Sequence, residues 1–150
     1  MAEMDAMEMT LQRILQRTEE RFRANWNRVL VDTDKLMAGL MVCQWVFAIL
    51  LALFVSTDAW IGKEKTTNVH VPAAALLGGL LASLPVLLAW RCPGKPITRN
   101  VIAFSQMMWS ALLIHLTGGR IETHFHVFGS LAFLAFYRDW KVLITATVAV

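Results

Sequence analysis

Charge is scarce in this chain. Asp, Glu, Lys and Arg supply 17% of its 150 residues, 57% are hydrophobic, and mean hydropathy is +0.52. That composition leaves too few polar groups to clothe an ordinary soluble domain of this length. Cysteine is nearly missing as well: Cys43 falls in an apolar run and Cys92 in a polar one, which rules out a disulfide framework and leaves two packing residues. The first 35 residues lack an apolar core, so they do not form a cleavable signal peptide. No His-Glu-x-x-His order is present, and no Ser or Cys nucleophile is partnered with a base in sequence, which removes the common hydrolase signatures. The net charge of +3 sits in loops, where membrane topology accounts for it better than nucleic acid does.

What the chain does have is long uncharged runs. Leu36 to Thr57, Val71 to Trp90 and Val101 to Gly119 each approach the roughly 20 residues needed to cross a bilayer. A fourth run, Phe125 to Tyr137, spans if the polar residues from Ile121 form its first turn. A fifth begins at Val142 and reaches only Val150, which reads as a chain truncated within a span. The expected fold is all-α: a polytopic transmembrane helical bundle of four spans plus the start of a fifth, residues 36–150, behind an amphipathic cytoplasmic helix, residues 1–35.

In that first segment Met4, Met7, Leu11, Ile14, Leu15, Thr18, Phe22, Trp26 and Val29 recur at three- and four-residue steps, the period of an amphipathic helix. Its basic face suits an anionic membrane surface, and its spacing also approximates the heptad of a dimerising coiled coil. Asp32 to Lys35 should close the segment and cap the first span. In that span Gln44 is expected to bond a neighbouring helix. Gly78, Gly79, Ala82, Ser83 and Pro85 suggest that the second span is kinked and central in the bundle. Pro93, Gly94 and Pro96 break the chain before a third span that Thr98 can cap. Eleven Lys and Arg fall in the N-terminal segment and the second and fourth loops, against three in the first and third loops, which places the N-terminus in the cytoplasm.

This topology sends all four histidines to the outer face: His70, His115, His124 and His126. Glu122 and His126, four apart, share a helix face that Ser130 continues, while His124 points some 200° away unless the turn at Gly118 and Gly119 stays irregular. His115, Glu122, His124 and His126 are the candidate metal ligands, because imidazole with carboxylate suits zinc, copper or iron, and neutral imidazole suits haem. The competing reading has the same side chains hydrogen-bonding water at the lipid boundary. Ionisable groups inside membranes usually mark function, and histidine would make the site pH-sensitive. Trp109, Phe125, Phe128, Phe133, Phe136 and Tyr137 read as helix packing, and Asp139 as a partner for Arg138 or Lys141.

The run from His115 to Ile144, above all Ile-Glu-x-His-Phe at 121–125 followed by Tyr-Arg-Asp-Trp at 137–140, resembles the N-terminal membrane-sensor region of bacterial sensor and hybrid histidine kinases. Related regions precede diguanylate cyclases and chemoreceptors. The resemblance implies further helices and a cytoplasmic output domain beyond this segment, a homodimer, and a sensory rather than catalytic role. No phospho-acceptor box, nucleotide-binding glycine motif or receiver domain is present to make this segment an enzyme. The alternatives from other classes are a haem-binding electron-transfer subunit and a transporter or assembly subunit.

Overall fold

A computed structural model describes residues 2–55 and 70–150, and every regular element among them is helical. The order is α1 (Ala2–Val55), α2 (His70–Arg91), α3 (Pro96–Leu116), α4 (Ile121–Leu134), a 3-10 turn (Ala135–Tyr137) and α5 (Trp140–Ala149). The loop containing Trp60, Lys63 and Lys65 lies outside the described residues, as does the side chain of His70.

The first departure from expectation is α1, a single helix of 54 residues. Asp32 to Lys35 do not cap a second helix, because no Gly or Pro interrupts the backbone there and the Asp34 carboxylate is taken by partners far away in sequence. Nor does Thr98 cap α3: Lys95 holds the cap position, Pro96 follows it, and the Thr98 hydroxyl turns back to the Cys92 carbonyl at 2.6 Å.

Centrality also moves, from α2 to α3. Helix α3 packs against α1, α2, α4 and α5, and its buried face carries Ser105, Gln106, Trp109 and Ser110. Helix α2 instead leaves Leu76, Leu77, Leu80, Leu84, Leu87 and Trp90 half or more exposed. Its small residues make room for rings rather than for another backbone. A Cβ on Gly78 would lie 2.8 Å from the Trp109 ring and 3.0 Å from that of Trp45.

Two apolar clusters divide the bundle along its length. One joins Met41, Ala48, Ala52, Ala74, Ala82, Trp109 and Leu112 towards the α3–α4 end; the other joins Leu30, Met37, Ile102, Met107, Leu134, Tyr137 and Val142 towards the α2–α3 end. Two helices are long and apolar enough to cross a membrane, through Glu3–Leu53 and Ala74–Arg91. Helix α4 has 14 residues and α5 has 10, which makes them about 21 and 15 Å long.

Candidate functional site

The face that α4 turns towards α3 carries Thr123, His126, Ser130 and, at the end of the 3-10 turn, Tyr137. Steps of three, four and seven residues keep them in one stripe. Helix α3 answers with Thr117, Ser110 and Gln106, so polar groups meet in successive rungs. The Thr117 and Thr123 hydroxyls lie 2.8 Å apart, the Ser110 hydroxyl is 2.8 Å from His126 Nδ1, and Gln106 Nε2 donates to Ser130 Oγ at 3.1 Å. Below these the stripe is interrupted by Leu134, which sits in the apolar cluster with Met37 and Met107.

His126 is the centre of the ladder because three helices reach it. Gln44 Nε2 of α1 lies 3.2 Å from its Nε2, while Ser110 of α3 and Ser130 of α4 approach its Nδ1 at 2.8 and 3.2 Å. The donor inventory selects one tautomer. The Ser110 hydroxyl donates to the Gln106 carbonyl at 3.2 Å, so Nδ1–H donates to Ser110 and Nε2 accepts from the Gln44 amide. This assignment follows from the hydrogen-bond network. Among the described residues, three buried side-chain atoms have no hydrogen-bond partner: Gln44 Oε1, Gln106 Oε1 and Trp109 Nε1. Both amides belong to groups already bonded to the His126 cluster, so two spare acceptors flank it.

The other expected ligands do not join His126. Glu122, His124 and His115 are exposed, and His124 Nδ1 is 3.0 Å from the Arg120 carbonyl of its own turn. Gly118 and Gly119, with φ of +69° and +77°, absorb the irregularity, so α4 starts cleanly at Ile121 and His124 faces away from His126. Among the described residues no three His, Cys, Asp or Glu side chains could hold one metal ion. The proposed donor set of His115, Glu122, His124 and His126 therefore does not fit a single zinc, copper or iron centre. Gln44, Ser110 and Ser130, which do surround His126, are poor ligands for such a metal. Of the shared face expected for Glu122, His126 and Ser130, the contact between His126 and Ser130 is formed.

A second polar centre closes the opposite end. Asp34 is 1% exposed, accepts the Tyr137 hydroxyl at 2.7 Å on Oδ1, and accepts the Gly94 N–H at 2.6 Å on Oδ2. Gly94 has φ of +77°, and a Cβ there would meet Asn27 Oδ1 at 2.9 Å, so the turn needs glycine twice over. Burial raises the Asp34 pKa above the ordinary carboxylate value, against opposing pulls from Tyr137, Gly94 and Arg99. Asp139 pairs with Arg99 of α3 at 3.4 Å rather than with Arg138 or Lys141, and its other oxygen caps α5 at the Lys141 N–H. Sequence reasoning read Asp34 as part of a cap and Tyr137 as helix packing, and missed that the two pair. The available signal was one carboxylate bordering a long uncharged run and the chain's single tyrosine.

No family model matches the chain, and no curated protein or solved structure matches it either.

Proposed function

We propose that this chain is the membrane-embedded input module of a bacterial signalling protein, with His126 as the group on which the stimulus acts. In this reading α1 to α4 cross the inner membrane, and the N-terminus is cytoplasmic. The module works as a homodimer and drives a cytoplasmic output domain. The distribution of Lys and Arg supports the orientation, and the exposed apolar surfaces of α1 and α2 support the lipid setting.

The observation that carries the sensory reading is the closing of three helices on one imidazole whose partners, Gln44, Ser110 and Ser130, are all uncharged. As a neutral ring it accepts from Gln44. Protonation puts an N–H on Nε2, facing the Gln44 amide nitrogen, so one donor confronts another. Rotation of the amide brings up Oε1, the atom that has no partner. Protonation, or a small hydrogen-bonding ligand at the same place, therefore changes how α1 meets α4.

Helices α1 and α4 are tied again at the far end, where Asp34 holds Tyr137. A displacement at Gln44 and His126 thus loads a second joint ten residues along α1, next to the segment that projects from the bundle. Electron transfer through a haem is less favoured, because only His126 among the histidines with described side chains faces the interior.

Spin labels at the exposed positions Val46 of α1 and Phe128 of α4, in nanodiscs, test the coupling. The distance should change between about pH 8 and pH 4 and stay constant in His126→Gln. An identical titration in that variant would place the response on a group other than His126 and contradict the proposal, as would a distance that never moves.

A further inference from the structure

We propose that the groove between α2 and α3 is a binding site for one anionic phospholipid, its acyl chains lying against the leucines of α2 and its phosphodiester against Arg91 and Lys95. The cavity measures about 830 Å³ and is lined by Leu80, Leu84 and Leu87 on α2 and by Ile97, Val101 and Phe104 on α3. Leu80, Leu84, Leu87 and Arg91 follow one another at steps of four, three and four, so Arg91 continues the lining stripe of α2 to its last residue. Lys95 caps α3 two residues before Ile97, at the same end of the groove.

Two polar side chains of the wall, Asn100 and Ser83, are already occupied. Asn100 donates to the Pro96 carbonyl and accepts from Thr145, both at 2.9 Å, and Ser83 donates to the Leu80 carbonyl at 2.9 Å. The wall is therefore mostly apolar, and charge is confined to its mouth. There Arg99 is engaged by Asp139, whereas Arg91 and Lys95 are exposed and pair with no carboxylate among the described residues. An apolar trough with two free cations at one end is complementary to an amphiphile carrying one negative charge. Basic pockets between membrane helices on the cytoplasmic side are known to take anionic headgroups. A second protein helix would fill the trough but leave both cations unanswered, and free phosphate would answer the cations but leave the trough empty.

The proposal rests on the membrane setting but not on any role for His126. The experiment uses the full chain purified in detergent and incubated with equimolar phosphatidylglycerol and phosphatidylcholine, with retained lipid counted by native mass spectrometry. One phosphatidylglycerol per chain is expected. It should fall by roughly ten-fold or more in Arg91→Gln with Lys95→Gln, at about five-fold per cation. It should also be displaced by Leu84→Trp, a substitution at an exposed position that fills the trough. Inorganic phosphate at millimolar concentration should not compete. Equal retention of the two lipids, retention unchanged in both variants, competition by phosphate, or a dimer that excludes lipid would each overturn the assignment. A chain that stays soluble and monomeric without detergent would instead refute the membrane setting itself.

Discussion

At the scale of single residues, the polar side chains around His126 and Asp34 serve contacts between helices. The Tyr137 hydroxyl is the only side-chain donor to Asp34, so Tyr137→Phe leaves a buried carboxyl oxygen unpartnered. We expect a loss of about 1–3 kcal/mol in chemical unfolding, with the helical content of the folded state unchanged. Asp34 also sets a pH dependence whose sign is unusual for a carboxylate. Its folded pKa lies above the unfolded value, so its contribution is fully present below the unfolded pKa and is lost as pH rises through the folded one. Unfolding midpoints should thus decline as pH rises through that window, and Asp34→Asn should flatten the decline. Gly94→Ala combines a left-handed backbone with a 2.9 Å approach to Asn27, so it should destabilise more than alanine at Gly118, where open space surrounds the same backbone sign.

At the scale of elements, the continuity of α1 bears on both readings of the N-terminal segment. An unbroken helix does not both cross a bilayer and turn to lie along it, because sharp bends need a Pro, a π-bulge or an inserted group. The stripe of Met4, Leu11, Leu15, Phe22 and Val29 is exposed on that helix. In the proposed homodimer a parallel partner helix would cover this stripe. Cysteines placed at Leu15 or Phe22 should cross-link two copies efficiently, and cysteine at Arg13 should not. Equal yields at all three positions would contradict the seam.

The periodicity of this segment and the inward reach of Gln44 were legible from spacing alone. The continuity of α1 was not, because Asp32 to Lys35 looks like a cap when the distant Gly94 and Tyr137 are unseen. The histidine cluster was legible as a crowd but not as a site. Helical geometry correctly parted His124 from His126. Only tertiary packing showed that Ser110 and Gln44, far away in sequence, are the partners of His126.

At the scale of the whole molecule, polar rungs at one end and the Asp34 joint at the other are separated by an apolar layer of Met37, Met107 and Leu134. Enlarging the small face of α2 should disturb the whole packing: Gly78→Leu drives a branched side chain into Trp45 and Trp109. A cost of about 1–3 kcal/mol is expected, read as a lowered thermal midpoint and altered tryptophan fluorescence. The most direct measurement on the central claim is the ¹⁵N spectrum of imidazole-labelled protein in bilayers, with His126 assigned by its absence in His126→Gln. Near neutral pH the account predicts one imidazole carrying its proton on Nδ1, slow to exchange with water, whose Nε2 shift changes in Gln44→Leu. Four histidine rings that all exchange freely with solvent and ignore Gln44 would contradict it.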